Sequence, residues 1–443
     1  SPTNPDSVDI FIRELDNWSL IPKVSTSSSR STIELTDKNF LGLGHEFKNG
    51  FSHNYKEGTN AFHTTYILPN YKNTFVNSTL HYKIDGHKYY NKQFTIDRPF
   101  FSPIAKWAAG VNLRQEFRRD SVWTSNSLFM QQRFKYNTQD YWAGYAIRLF
   151  KNNTDNYTVT NLISTARFLR IRYLEKPLEI FDTKHQYTNE NLYLTSIGIS
   201  SRNFVQDKYI FKFGVIEDVP IGKVFSITGG YQEKNNINRF YVGAKFAVGN
   251  YFKWGYFSTN IEYGTYIKKS QAQQGVITVG TTYFTDLFEI GKWKFRQFVK
   301  PQLVIGLNRF SGDSLTINDS YGLDGFNSIG LKGNSKLLFT VQTQAYAPVN
   351  LIGFRFAPYL IYSFGMLGNA DNGFKNSKVY SQIGLGVLIK NENLVINTLQ
   401  LSIAFYPSIP GIGQDIFKTN AFRTSDFGFR DFEIGKPAIV LYE

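Results

Sequence analysis

The side chains that could carry out acid–base, nucleophilic or metal chemistry are few and lie in no recognised spacing. No histidine pair has an H-E-x-x-H or comparable ligand spacing, and neither a phosphate-binding glycine loop nor a G-x-S-x-G elbow occurs. The adjacent carboxylates Glu217 and Asp218 are interpreted as turn or interior charges. The absence of cysteine excludes disulfides and thiolate metal ligands. The sequence therefore predicts no enzyme, no metal site and no cofactor. The six histidines are His45, His53, His63, His81, His87 and His185.

The clearest organised stretch is 321–346, where a glycine-punctuated loop leads into a strand of alternating apolar and polar residues. Successive side chains of a strand point to opposite sides of the sheet. One face would carry Phe339, Val341, Thr343 and Ala345, and the other Thr340, Gln342 and Gln344. A membrane β-barrel requires this alternation, because lipid contacts its outer face and water its interior.

The same alternation recurs along the chain, with an inner series that is small or polar each time. A soluble β-sandwich also has one solvent-exposed face on each sheet, but it rarely surrounds its apolar face with so many aromatic residues. A barrel is therefore favoured over a sandwich. The repeated pairs are Leu399, Leu401, Ile403 and Phe405 against Gln400, Ser402 and Ala404; Ile383, Leu385 and Val387 against Gln382, Gly384 and Gly386; Phe240, Val242 and Phe246 against Tyr241, Gly243, Lys245 and Ala247; and Phe257, Ile261 and Tyr263 against Ser258, Asn260 and Glu262.

Composition agrees with one large all-β unit. The 443 residues include 40 Phe and 28 Tyr, which suit a lipid-facing surface with aromatic girdles. The mean hydropathy is −0.30, and no apolar run reaches the ~18 residues of a helical span. The net charge of +14 is spread without a Lys/Arg block, so we expect no nucleic-acid partner and assign the charge to the interior, the loops and contacts with anionic lipid. No signal peptide is visible, and Ser1 is expected to be a mature or trimmed start.

Two stretches near the N-terminus resemble a known family. Segment 14–22 resembles the junction at which the last POTRA domain enters the barrel in the outer-membrane insertase and translocator superfamily (BamA, TamA, FhaC and relatives). Segment 37–45 resembles that superfamily's D-x-N-F-x-G-x-G periplasmic turn, carried here by Asp37, Asn39, Phe40, Gly42 and Gly44. The resemblance implies that residues 1–16 end a POTRA-type domain or linker and that 17–443 form a transmembrane antiparallel β-barrel.

The resemblance also implies a topology. Counting every alternating run gives about twenty strands, but the superfamily has sixteen, and sixteen are expected here. Short periplasmic turns are expected at 97–103, 217–222, 249–252, 347–350 and 390–393. Long extracellular segments are expected at 119–137, 174–189, 309–333 and 406–424.

Loop 309–333 carries an altered form of the superfamily's R-G-F or R-G-Y lid tripeptide, here Asp324-Gly325-Phe326. In the superfamily this loop folds into the barrel, where the arginine pairs with acidic wall residues of an F-x-D-x-G motif, degraded here to 362–365. With the charge inverted, Asp324 is expected to face a basic residue such as Arg355, near Tyr362 and Ser363, unless Asp-Gly makes a plain surface turn. The lid residues are Gly322, Leu323, Asp324, Gly325, Phe326, Gly330 and Gly333.

Segment 424–443 is expected to form the last strand and to close the barrel against the first strand, near 19–26. Pro437 would remove one ladder hydrogen bond and weaken this seam, which is the lateral gate in the insertases. The seam residues expected from the sequence are Trp18, Leu20, Phe427, Phe429, Phe432 and Pro437.

The resemblance implies a protein of the Gram-negative outer membrane that handles polypeptides. It would insert client outer-membrane proteins through the seam, or export secreted chains through its interior, in contact with membrane lipids and accessory envelope proteins. The altered lid tripeptide leaves an alternative open, a passive channel or the structural anchor barrel of an envelope complex.

Overall fold

A computed structural model describes residues 19–26, 30–123, 129–150, 159–182, 185–310, 312–328, 330–391, 399–409, 417–419 and 432–443. Sequence expectations for Trp18, Phe427, Phe429 and residues 1–16 lie outside these ranges. The described chain forms one antiparallel sheet of 22 strands, with two short 3₁₀ turns at Tyr71–Asn73 and Glu179–Phe181. No helix in these ranges has the length and apolar character needed to cross a membrane.

The first half of the sheet comprises β1 (Leu20–Thr26), β2 (Arg30–Phe40), β3 (His45–Asn54), β4 (Thr59–Leu68), β5 (Asn77–Ile84), β6 (Tyr90–Arg98), β7 (Trp107–Trp123), β8 (Phe129–Arg148), β9 (Val159–Glu175), β10 (Glu190–Lys208) and β11 (Ile216–Lys234). The second half comprises β12 (Ile237–Phe252), β13 (Gly255–Lys268), β14 (Gln271–Phe284), β15 (Phe288–Ile290), β16 (Trp293–Leu307), β17 (Ser335–Tyr346), β18 (Asn350–Leu351), β19 (Phe354–Gly368), β20 (Val379–Asn391), β21 (Leu399–Phe405) and β22 (Phe417–Thr419).

The strands form a meander in which each position pairs with the next along the chain. β15 continues β14 along one edge of β16, and β18 continues β17 along β19. The described strands therefore occupy twenty positions across the sheet, which exceeds the sixteen expected from the sequence. The short strands β3 to β6 account for part of the difference, because they pair in register with their neighbours as part of the same sheet.

The alternating pattern read from the sequence matches the two faces of the sheet. On β21, Leu401 is 56% exposed on the outer face, whereas Ala404 of the same strand is fully buried on the inner face. On β17 the inward Gln342 and Gln344 are each 1% exposed. The outer face is thus a continuous surface of exposed apolar side chains, and the polar series points inward.

Contacts between distant strands show that the sheet curves round on itself. Tyr346 at the end of β17 donates a hydrogen bond of 2.9 Å to the carbonyl of Ile210, which follows β10. Arg296 of β16 forms an ion pair with Asp207 of β10, with 2.8 Å between Nη1 and Oδ2. These strands are separated by several sheet positions, so their inner faces must look toward each other, as in an antiparallel β-barrel. Within the described residues β1 pairs with β2, and β22 with β21.

Connection length does not separate the two ends of the barrel, because the end that carries loop 308–334 also has the two-residue turns 235–236 and 269–270, and several bounds differ from the sequence expectations. Segment 119–137 is mostly strand, because β7 and β8 extend through it. Segments 217–222 and 249–252 also belong to strands, and the corresponding turns lie at 209–215 and 253–254. Strand pairing extended these runs beyond their apolar cores, which a local pattern does not reveal.

Candidate functional site

The candidate site is the interior of the barrel, which three segments of the same chain enter. We call them the inner turn (209–215, between β10 and β11), the lid loop (308–334, between β16 and β17) and the C-terminal segment (432–443). Each contains residues that are almost fully buried: Ile210 in the first, Phe326 in the second and Phe432 in the third. They contact the inner face of different strands.

The lid loop is braced by hydrogen bonds within itself. The main chains of Leu315 and Gly333 exchange two hydrogen bonds, of 2.7 and 3.0 Å. The Asn318 side chain accepts a hydrogen bond from the Ser328 amide at 2.9 Å and donates one to its carbonyl at 3.0 Å. Gly330 is exposed, and a Cβ there would meet open space. The loop is therefore a folded unit with a defined shape.

The tip of the lid loop packs onto the inner wall of β17 to β21. Phe326 is fully buried, with its ring 5.7 Å from Tyr380 and 6.2 Å from Tyr406. Gly322 touches the main chain of Ile317 so closely that a Cβ would lie 2.5 Å from the Ile317 Cα. Leu323 is also buried beside Ile317. These contacts place the aromatic position of the tripeptide inside the barrel.

Asp324 is attached to the wall through its main chain. Its carbonyl accepts hydrogen bonds from Tyr406 Oη at 2.6 Å and Gln382 Nε2 at 3.0 Å. Burial raises the pKa of Tyr406 to about 12, so this phenol remains a donor at neutral pH. The docking of the lid loop therefore does not depend on the charge of residue 324.

The expected wall partners of Asp324 require correction. Asp324 lies near the height of Ser363, because Gln382, which donates to the Asp324 carbonyl, pairs with Ser363. Arg355 lies eight residues along β19 from Ser363, a separation of about 26 Å along an extended strand, and within the described chain no ion pair joins Arg355 to Asp324. Tyr362 lies on the outer face and is 43% exposed. Ser363 does face inward, where its hydroxyl lies 3.0 Å from the Thr340 hydroxyl. Of these wall residues, Arg355 is therefore too far along the barrel wall to face Asp324.

The Asp324 carboxylate is accessible to solvent but lies among surrounding wall atoms. Partial burial of the carboxylate among these atoms, together with the negative charge of Asp319, raises the pKa of Asp324 above the ordinary value of 3.8. Lys300 opposes the shift. A folded state with the raised pKa holds its proton longer than the unfolded chain. Stability should therefore fall as pH rises from 3.8 through the folded pKa.

Asp324→Asn removes this ionisation and is expected to stabilise the protein at pH 7 by about 0.5 kcal/mol or less, because the group keeps its solvent contact. Unfolding measured at pH 4 and pH 7 should show a smaller fall with pH than in the unaltered chain. Asp371→Asn, at an exposed loop carboxylate, is the control for the change in net charge. If the stability of Asp324→Asn fell between pH 4 and pH 7 as much as that of the unaltered chain, the raised pKa of Asp324 would be contradicted.

Residues 37–40 end β2, and residues 41–44 form the turn between β2 and β3. The Asn39 side chain accepts the Gly44 amide at 2.7 Å, and the Asp37 carboxylate accepts the Asn39 amide at 3.0 Å. Gly42 and Gly44 have φ of +72° and +69°, in the left-handed region that glycine adopts without strain. Phe40 packs its ring 4.7 Å from Phe47. Asp, Asn and Gly at these positions are explained by the turn itself.

The inner turn was not anticipated from the sequence. The Glu217 carboxylate accepts hydrogen bonds from the amides of Ile210, Phe211 and Lys212 at 3.0 to 3.1 Å, which holds the turn compact. Ile210 and Phe213 then pack among inner-wall residues. Glu217 is thus a structural charge, as the sequence analysis proposed for this carboxylate pair.

The C-terminal segment is not a barrel strand in its described part, contrary to the sequence expectation. Residues 432–443 lack a strand ladder and run along the inner wall. Phe432 is 1% exposed, and Pro437 accepts a hydrogen bond from Arg167 at its carbonyl. Leu20 alone of the described seam residues lies in a strand, on the outer face of β1. Gly435 and Pro437 are the sequence signals against a strand in this segment, because both residue types interrupt a strand ladder.

A polar cluster around Glu34 joins three neighbouring strands. Glu34 contacts both Lys48 and His63, at 3.1 Å each, across β2 to β4. Within the described ranges no group of three or more His, Asp or Glu side chains is arranged to hold a metal ion.

Comparison with known proteins gives structural similarity alone. No protein-family model matches the chain, and no curated protein matches it by sequence. CdiB from Escherichia coli is similar at a TM-score of 0.40 and 11% identity, over 92% of this chain and 62% of that one. BamA from Haemophilus ducreyi lacking POTRA domains 1–3 is similar at 0.40 and 13%, over 91% and 74%. OpdQ from Pseudomonas aeruginosa gives 0.24 and 8%, over 90% and 95%. The chain thus spans less than two thirds of the E. coli CdiB chain, and these scores do not assign it to a family.

Proposed function

We propose that the chain is an outer-membrane β-barrel of a Gram-negative bacterium that assembles or exports polypeptides, without catalysing a reaction. The observation that carries this proposal is the occupied interior. Barrels of 16 to 18 strands leave an aqueous channel, and this one has twenty described positions. Its own inner turn, lid loop and C-terminal segment pack onto the wall across that space. A passive channel has no need of such inserts, whereas a barrel that opens for a client chain requires a closed resting state.

The exposed outer face supports a membrane location. Large apolar side chains such as Leu385 and Leu401 are more than half exposed on the outside, as lipid contact requires.

The test combines planar-bilayer conductance with depletion in cells. The purified chain is expected to show no steady ohmic conductance, with an open porin as positive control. Depletion is expected to reduce the amount of other outer-membrane barrels or of a secreted protein. Steady conductance with normal levels of those proteins would establish a passive channel instead. No conductance and no depletion effect would establish a structural anchor barrel.

A further inference from the structure

The C-terminal segment crosses the inner wall in an extended form from the end with the turn 253–254 toward the end with the lid loop. It contacts β8 and β9 through Asp140 and Arg167, and it ends beside Asn334 at the start of β17. The ten residue-to-residue steps from Phe432 to Tyr442 would span about 33 Å when extended. This length is comparable to the height of a membrane barrel.

The wall holds the segment largely by its main chain. Ser200 Oγ donates to the Phe432 carbonyl at 2.6 Å, and Arg167 donates to the Pro437 carbonyl at 3.0 Å. The Val440 amide donates to Tyr241 Oη at 2.8 Å. Main-chain groups are the same in every polypeptide, so these three wall side chains could hold a segment of different sequence in the same way.

A few positions of the segment are recognised by their side chains. Phe432 and Ile434 are buried in a cluster of small wall residues that includes Val224 and Ala247. The charged side chains pair across the groove: Glu433 with Arg202 at 2.7 Å, and Lys436 with Asp140 at 3.0 Å. The groove therefore selects an aromatic residue, an acidic residue directly after it and a basic residue four positions after the aromatic.

Wall glycines make room for the segment. A Cβ at Gly249 would collide with the Phe432 ring, one at Gly264 would lie 3.0 Å from Val440 Cβ, and one at Gly306 would lie 2.8 Å from the Tyr442 ring. Gly249, Gly264 and Gly306 belong to three different strands. A cavity of about 130 Å³ remains between the segment and β10 to β13. The groove is thus shaped for an extended chain and leaves spare room along it.

We propose that this groove is a binding track for an extended segment of a client polypeptide, and that residues 432–443 occupy it in the resting state and are displaced by the client. The inference rests on the proposed polypeptide-handling function and names the surface that the client contacts. Displacement breaks no strand ladder, because the described segment forms none. The tethered segment competes at high effective concentration, so a client must match its contacts or arrive at high local concentration.

The test measures binding of a fluorescent peptide of sequence 432–443 to the full-length protein in detergent. Phe432→Ala weakens the resident segment and is expected to tighten peptide binding at least tenfold. Leu441→Ala, at a residue of the same segment that is 57% exposed, is the matched control and should leave binding unchanged. Adding Ser200→Ala to Phe432→Ala removes a wall donor and should weaken the peptide about three- to tenfold. A scrambled peptide should not bind.

Heat-modifiable gel migration shows whether each variant folds, and the unaltered protein provides a second measurement. Excess peptide should accelerate hydrogen exchange at the Val440 amide, because the resident segment leaves the groove. Equal peptide binding to Phe432→Ala and Leu441→Ala, or unchanged exchange, would overturn the inference. If the peptide binds as expected but depletion leaves the amounts of other outer-membrane and secreted proteins normal, the proposed function is wrong and the groove assignment stands. If depletion lowers those amounts but no peptide binds, the proposed function stands and the groove assignment is wrong.

Discussion

Replacing Asp207 with alanine is expected to lower the free energy of unfolding by about 3–5 kcal/mol, because it leaves a buried arginine without its counter-ion. The side chain of Arg296 is 1% accessible, and its guanidinium contacts both carboxylate oxygens of Asp207 at 2.8 and 3.2 Å. The pair joins β10 to β16 across the interior, and Tyr251 also donates to Asp207 at 3.0 Å. Removing the carboxylate therefore removes the ionic contact between these two walls and leaves the hydrogen bond of 2.9 Å from Arg296 to the Lys208 carbonyl. Urea unfolding of the reconstituted protein measures the loss.

An exposed ion pair on the same strand provides the control. Lys294 and Glu289 lie 2.5 Å apart, with side chains 34% and 56% accessible, so Glu289→Ala should cost far less stability than Asp207→Ala. The double variant Asp207→Leu with Arg296→Met should cost less than Asp207→Ala, because no buried charge remains. Similar losses for Asp207→Ala and Glu289→Ala would show that the buried pair is not a brace.

Leu401→Arg is expected to destabilise the barrel in a bilayer by about 2–4 kcal/mol, the range for a basic residue on the lipid face near the midplane. Leu401 lies on the outer face of β21 and pairs with Val387 in the central part of β20. Its neighbour Gln400 is turned inward and is partly accessible, so Gln400→Arg should cost far less. Refolding into liposomes at graded urea concentrations gives both values.

Gln342 is not a suitable control for arginine on the inner face. The sequence pattern offered Gln342 as a second tolerant site, but its side chain is 1% exposed, and an arginine there would overfill a packed interior. Gln400→Arg is therefore the informative comparison. Equal tolerance of arginine at 400 and 401 would be incompatible with a lipid-facing outer surface.

The faces of the strands were determined by the sequence alone. Alternation along 339–345 and 399–405 predicts which side chains share a face, because the pleat of a strand has a period of two residues whatever its neighbours are. The absence of cysteine and of catalytic spacings likewise needs no tertiary information. The turn at 41–44 was expected from a family resemblance, and Asn39, Gly42 and Gly44 satisfy its tight backbone locally.

The contents of the barrel were decided by tertiary structure. Arg355, the partner expected for Asp324, lies about 26 Å along β19 from Ser363, whose paired residue Gln382 contacts Asp324, because register between strands is set by pairing along their whole length. The fate of 432–443 is a further case: Phe432 could pack equally well on a strand face or in an interior pocket. Small residues on several strands, including Ala108 of β7, Val224 of β11 and Gly249 of β12, form that pocket, and no local pattern brings them together. Side-chain period is a property of one strand, whereas an interior groove exists only when several strands curve around it.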